Sequence, residues 1–505
     1  MNHLVIAPVL LPLFAGILLL LVQKQSLLLQ RVLGVLSVLA LVVLTLGLLA
    51  AVSGGDILVY ALGNWVAPFG IVLVADRLAA WMLVITALLS VFALLYAIRG
   101  SDGAGRHFHV LFQLQLFGLN GAFLTGDLFN LFVFFEILLL ASYGLLLHGG
   151  GRLRTRAGLH FVVINLAGST LFLFAVGTLY GVLGTLNMAD LALKVAATPP
   201  ENVSLVRAAG LLLFGVFALK AALLPLYLWL PNAYANTSAA VAALFAIMTK
   251  VGAYSILRMY TLIFGAQAGP AANLIEPWLL PLALATLLVG TLGAVGSHKL
   301  RHQIAYLVVA SVGTLLLAFS LNSSAGIAAG LFYLPHATFA AAAFFLLADS
   351  IVQRRGTLQD QLDPGPVINH PRVIGTLFFL IAILMAGMPP LSGFLGKFLL
   401  LRAAVQHPAL PWLMAIVLGA GLLSMIALAR SGSLLFYRPK ASDQDAVEVG
   451  AWALSAELAP ATGLLLLCLV LTLWAGLASD YAQATADQLL QPYHYVRAVL
   501  AGGKP

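Results

Sequence analysis

The sequence predicts an all-α integral membrane protein, and three observations carry the prediction. Of 505 residues, 62% are hydrophobic and only 8% are charged, against about a quarter charged in an ordinary soluble domain. The mean hydropathy is +1.05. The apolar stretches run to roughly 20 residues without period-two alternation, the length of a bilayer-crossing helix and not the pattern of a barrel strand.

About fourteen such runs occur, at 4–22, 30–52, 73–97, 108–126, 128–147, 159–183, 206–230, 238–264, 277–297, 302–321, 325–352, 373–401, 412–436 and 459–478. No Lys or Arg precedes the first run, and Gln23, Lys24 and Gln25 stand where a signal peptide would have small residues. The first run therefore reads as a retained span. Cys468, the single cysteine, lies inside an apolar run, so no disulfide framework or thiolate metal site is expected.

The formal charge of +8 reads as a topology signal, not as a nucleic-acid footprint. Lys24, Arg31, Arg99, Arg106, Arg152, Arg154, Arg156, Lys299, Arg301, Arg354, Arg355, Arg372, Arg430, Arg438 and Lys440 all fall in the odd-numbered loops. The even-numbered loops hold little beyond Lys194, Arg207 and Arg402. Positive residues collect on the cytoplasmic side, so both termini are expected outside.

Three spans carry helix breakers. The seventh has Pro225 and closes at Pro231, the eleventh has Pro335, and the twelfth contains MAGMPPLSGFLGKF with Gly387, Pro389, Pro390, Gly393 and Gly396. Breaks are expected at all three, since proline removes a backbone donor and crowds the preceding turn. Such breaks persist in a membrane where protein or a wet cavity satisfies the freed groups. Spans seven and twelve lie five apart, which points to two inverted five-helix repeats. The single transmembrane domain, 1–505, then divides into a three-span segment (1–107), a first repeat (108–264, spans 4–8), a second repeat (277–436, spans 9–13) and a last helix (459–478).

Five ionisable residues lie within the spans: Glu136, Lys220, Lys250, His336 and Lys397. Each central charge costs about 2.5–3.5 kcal/mol, so the set costs roughly 10 kcal/mol, comparable to a whole protein's net stability. Alternatives exist residue by residue. Glu136 with a lysine could be an ion pair that fixes helix register, Lys250 could snorkel, and His336 could be a hydrogen-bonded core residue. Asp76, Asp127 and Asp349 lie at span ends and read as solvated or capping groups, and Arg258 as an interface anchor. Together, the five read as a hydrated proton relay. Lysine suits that task because burial penalises the ammonium while a nearby carboxylate restores it; Glu136 is assigned to Lys220. His298 and His302 flank a basic loop with no Cys or carboxylate at ligand spacing, so neither a metal nor a redox cofactor is expected.

At these residues the sequence resembles the antiporter-like membrane subunits shared by respiratory complex I and the multisubunit Mrp (Mnh or Pha) monovalent cation/proton antiporters, most of all the D-type subunits of the latter. The resemblance covers essentially the whole chain. It is strongest in GDLFNLFVFFEILLLASYGLLL (126–147), LKAALLPLYLWLPNAYANTSAAVAALFAIMTKVGAYSILR (219–258) and AGMPPLSGFLGKF (386–398). It implies roles in proton translocation for Glu136, Lys220, Lys250, His336 and Lys397, and a place in a hetero-oligomeric complex of a bacterial plasma membrane. Many relatives carry a lysine four residues after the eleventh-span histidine, where this chain has Ala340.

The expected function is therefore proton conduction in a Na+ or K+/H+ antiporter: secondary transport, not enzymatic catalysis. One alternative is a proton-pumping subunit of complex I or a membrane-bound hydrogenase. Another, of a different class, is a non-transporting scaffold. The charge asymmetry also makes a direct prediction. A Thr155→Cys variant in intact cells will react with membrane-impermeant thiol reagent only after the cytoplasmic face is exposed, and labelling from outside would refute the orientation.

Overall fold

The computed structural model describes residues 3–65, 67–438 and 451–501; Lys440 lies outside them. The chain is a bundle of helices, and each of the fourteen predicted runs falls on one or two of them. Eleven helices among the described residues are long and apolar enough to cross a membrane. The runs at 4–22, 108–126 and 373–401 fall on shorter apolar helices, Ala7–Leu21, Phe108–Leu124 and Pro371–Ala386.

Burial sorts the spans. The most apolar windows of the eighth (Ala239–Leu262), tenth (Leu300–Ser320) and eleventh (Ser324–Gln353) spans are 100%, 94% and 100% buried inside the chain itself. Those of Leu27–Val52 and Leu410–Tyr437, at the periphery, are only 33% buried. Lys250 and His336 thus sit on helices that touch protein on every side.

The seventh and twelfth spans are broken as expected. The seventh runs Val203–Ala221, turns, and resumes as Trp229–Asn236. Ala222 is left-handed, Leu224 N–H donates to Thr286 Oγ1 at 2.9 Å, and the Trp229 indole donates to Leu219 O at 3.0 Å. The twelfth runs Pro371–Ala386 and resumes as Ser392–Ala403. Gly387, at φ 76°, caps the first half, with Met388 N–H donating to Ile383 O at 3.1 Å, the six-to-one bond of a glycine-terminated helix.

Two other spans differ from the expected helix breaks. The eleventh span is one helix, Ser324–Gln353, with Pro335 inside it. Proline deprives the carbonyl four residues back of its donor, here Leu331 O, and the Trp81 indole supplies one at 3.1 Å. The eighth span, with neither Gly nor Pro at the break, is interrupted between Phe245 and Met248. The Tyr234 hydroxyl donates to Phe245 O at 2.6 Å, satisfying a carbonyl of the ended helix.

The third span begins later than the hydropathy indicates. Val72–Ala75 pairs antiparallel with Leu58–Ala61 in a short hairpin. Asp76 then caps the helix Arg77–Ala97, accepting from Ala79 N–H at 2.9 Å. Beyond the last span, Ala475–Leu489 folds back over the bundle: Tyr481 OH donates to Arg77 O at 2.9 Å and Gln488 Nε2 to Gly55 O at 3.0 Å.

Arg258 is not an interface anchor. It is buried and grips Asp76 with two bonds, 2.5 and 2.7 Å long, with Tyr254 and Tyr495 rings beside its guanidinium. Breaking such a pair strands a buried charge and costs about 3–5 kcal/mol. Arg258→Met will therefore lower the thermal stability of the detergent-solubilised protein sharply, while Asp76→Asn combined with Arg258→Met recovers much of the loss. Cys468, fully buried, reports the transition through a thiol-reactive dye. Equal melting of wild type and Arg258→Met would refute the assignment.

Candidate functional site

The sixth span, Arg152–Leu183, organises one end of the site. Asn165 and Ser169 lie one turn apart and share a face. The Ser169 hydroxyl donates to Glu136 Oε1, and Lys220 Nζ donates to Asn165 Oδ1 at 3.1 Å. Glu136, on the fifth span (Leu128–Leu147), is half-buried, while Lys220 is 8% exposed. No direct ion pair joins them among the described residues. They meet instead on a single turn of a third helix, each bound to a neutral side chain.

Lys220 is the penultimate residue of the first half of the broken seventh span. Its backbone abuts the eighth: a Cβ on Gly252 would collide with Ala221 N and lie 2.8 Å from the Lys220 carbonyl carbon. Only glycine permits that approach. Between the two spans lies a cavity of about 20 Å³ lined by Asn165, Lys220, Trp229, Met248 and Val251, among others. That is the volume of about one water, but its walls are almost wholly apolar; it lies beside Lys220 and against Met248 and Val251, which flank Lys250 in the sequence.

Lys250 is wholly enclosed, at 0% exposure. Its Nζ reaches Ser311 Oγ on the tenth span at 3.5 Å. Snorkelling is excluded by geometry, because its helix touches no lipid. Nor does Lys250 form an ion pair among the described residues.

His336 follows Pro335 in the eleventh span and is 1% exposed. Its Nδ1 lies 3.0 Å from Ser392 Oγ, the first residue of the second half of the twelfth span. A Cβ on Gly393 would fall 2.8 Å from His336 Nε2 and collide with Leu384 O, so this glycine is what lets the break close over the imidazole. The charges of Lys250 and Lys397 both act on His336. Ala340, one turn on, is fully buried in the core. Lys397 reaches back across the twelfth-span break and donates to Ala386 O at 2.9 Å.

The five predicted residues thus form one row across the interior: Glu136 and Lys220 at the sixth span, Lys250 at the tenth, His336 and Lys397 around the twelfth-span break. The intermediaries Asn165, Ser169, Ser311 and Ser392 were not singled out from the sequence. For Asn165 and Ser169 a signal existed, two polar residues at helical spacing in an apolar span. Ser311 and Ser392 look like ordinary small residues until the fold brings lysine and histidine to them.

Known proteins resemble this chain along its whole length. The profile of the family described as NADH:quinone oxidoreductase/Mrp antiporter, TM, matches residues 125–424. A protein of Rhizobium meliloti, named as the D-type subunit of a probable K+/H+ antiporter, is 42% identical over 99% of this chain and 98% of its own. The D-type subunit of a Na+/H+ antiporter from Alkalihalophilus pseudofirmus is 37% identical, over 99% of this chain and 100% of its own. A chain in the structure of the Mrp complex from Dietzia superposes with a TM-score of 0.86 at 28% identity, covering 99% of this chain and 100% of that one. By its sequence profile, its relatives and its fold, the chain belongs to the NADH:quinone oxidoreductase/Mrp antiporter family of transmembrane proteins.

Proposed function

We propose that this chain is the D-type subunit of a multisubunit Na+ or K+/H+ antiporter and conducts its protons. The observation that carries the reading is the row Glu136, Lys220, Lys250, His336, Lys397, whose members are linked by hydroxyls, an amide and a small cavity, not locked in ion pairs. A hydroxyl can donate or accept as the proton arrives or leaves, whereas a fixed buried pair holds its charges against movement. Glu136, half-buried at the edge of the row, accepts a proton from outside the chain and sets the charge felt by Lys220. The proton goes on from Lys220 to Lys250, whose flanking residues Met248 and Val251 border the same small cavity as Lys220, and His336 with Lys397 forms the far end.

The broken seventh and twelfth spans support two inverted repeats, 108–264 and 277–436, within a single domain, 1–505, flanked by the segment 1–107 and the helix 459–478. Relatives named for K+ and for Na+ support exchange of a monovalent cation by the whole complex. The same reading places the protein in a bacterial plasma membrane among other antiporter subunits, with both termini outside.

The test is antiport in everted vesicles from a transporter-deficient strain expressing the whole operon. Glu136→Gln, Lys220→Ala and Lys250→Ala will assemble and lower antiport by roughly a hundredfold, the scale of a removed proton-transfer group. Glu136→Asp will keep part of the activity, its carboxylate withdrawn by one methylene. Wild-type antiport in assembled Glu136→Gln complexes would return the buried charges to a scaffolding role. Co-purification of iron–sulfur or flavin subunits would move the reading to a redox-driven pump.

Gly393→Ala offers a second, steric test. The added methyl has nowhere to go between Leu384 O and His336, so the imidazole must shift from Ser392. Antiport is expected to fall by at least roughly tenfold with assembly retained. Unchanged activity would remove His336 from the path.

A further inference from the structure

The fourth span, Phe108–Leu124, carries polar side chains outside the lysine row. His109, Gln113 and Asn120 follow one another at i, i+4 and i+11, along one helical face. They are 2%, 1% and 0% exposed. That face meets the first span, Ala7–Leu21, and the second, Leu27–Val52. A Cβ on Gly34 would lie 3.2 Å from His109 Nδ1, and one on Gly16 would lie 3.6 Å from Gln113 Cβ. The Ser37 hydroxyl donates to Gln113 Oε1 at 3.2 Å. Asn120 Nδ2 donates at 2.7 Å to Pro8 O, the carbonyl that Pro12 deprives of its helical donor.

One polar atom on each residue has no protein partner: His109 Nδ1, Gln113 Nε2 and Asn120 Oδ1. Left dry, each would lose a hydrogen bond that water gives it in the unfolded chain. At one end the face joins a charged cluster in the loop before the span. Buried Asp102 takes two bonds from Arg31, at 2.7 and 2.8 Å, and lies 3.1 Å from His109 Nε2. His148, at the end of the fifth span, is the other titratable group near His109, and the first span supplies no ionisable group.

We propose that spans one, two and four enclose a second proton line, in which internal water joins these three unpartnered atoms. A hydronium in that water gives its excess proton to His109 Nδ1 and becomes water. The imidazolium, its Nε2–H still on Asp102, passes the Nδ1 proton to a second water as the column rearranges; only N–H and O–H bonds form and break. The eleven-residue reach from His109 to Asn120 covers about 16 Å, half of a hydrocarbon core about 30 Å thick. A metal cation does not fit this line. The Asp102 oxygens are already engaged by Arg31 and His109, and the unpartnered atom of Gln113 is its N–H₂, a donor and not a ligand. The inference rests on the proton-conducting reading but uses none of the lysine row.

The experiment compares His109→Gln, which keeps a donor for Asp102, and Gln113→Leu with Lys250→Ala, all in the whole complex in everted vesicles. With assembly intact, both column variants are expected to lower antiport by roughly tenfold or more, and His109→Gln to change its pH profile. If Lys250→Ala abolishes antiport while both column variants match wild type in rate and pH profile, the second line is overturned and the lysine row stands. If Lys250→Ala also matches wild type, the proton-conducting reading itself falls. Should the variants fail to assemble, a density map of the wild-type complex decides: water between His109 Nδ1 and Gln113 Nε2 is expected, and a closed dry contact overturns the proposal.

Discussion

A backbone group released from its helix inside a bilayer has no water to turn to and must find a partner within the protein. The architecture of this chain depends on that constraint more than on any packing preference. Where Pro335 deprives Leu331 O, the Trp81 indole arrives from the third span. Where the eighth span stops at Phe245, the Tyr234 hydroxyl arrives from the seventh. Where Pro12 deprives Pro8 O, Asn120 arrives from the fourth. Each repair comes from a different helix, so each interruption also ties two spans together. The breaks weaken single helices and strengthen the bundle.

The same interior holds two kinds of charge, and they are handled differently. Asp76 and Arg258 face each other with two short bonds among tyrosines. That pair is complete, and neither member can change its charge without stranding the other. Glu136, Lys220, Lys250 and His336 bind instead to Ser169, Asn165, Ser311 and Ser392. Neutral partners stabilise a charge less but tolerate its loss, because hydroxyls reorient. One arrangement builds structure and the other permits traffic. Lys250 shows the second arrangement at its most extreme, a lysine without a direct counterion among the described residues on one of the most deeply enclosed helices.

Much of this was legible in the sequence, for physical reasons that also explain what was not. A bilayer of fixed thickness writes span length directly into hydropathy, so the helices could be placed. An ionisable residue in an apolar run is too costly to be incidental, so Glu136, Lys220, Lys250, His336 and Lys397 stood out. The break at Gly387 was visible because it needs a residue able to take positive φ. The interruption before Lys250 was not, because the hydroxyl that satisfies Phe245 O, that of Tyr234, lies on another helix. Pro335 misled for the complementary reason: Trp81, hundreds of residues away, repairs the helix. Arg258 read as an anchor because Asp76 becomes its neighbour only in three dimensions. Pattern along the chain shows where a donor is missing, and only the fold shows who replaces it.

Lys397 unites both themes. Its ammonium is the donor that satisfies Ala386 O, the last carbonyl before the twelfth-span break, so a member of the proton row is also a structural plug. A charged donor makes a stronger hydrogen bond than a neutral amine. The hold on the break is therefore tightest when Lys397 carries its proton and slackens when the proton leaves. Ser392, which begins the other half of the span, faces His336, so any slackening is delivered to the neighbouring member of the row. Under the proposed proton-conducting role, the charge of Lys397 and the geometry of the break are tied together at this point. A broken helix there does what a continuous one cannot, because it leaves a backbone carbonyl for the side chain of Lys397 to hold and brings Ser392 against His336.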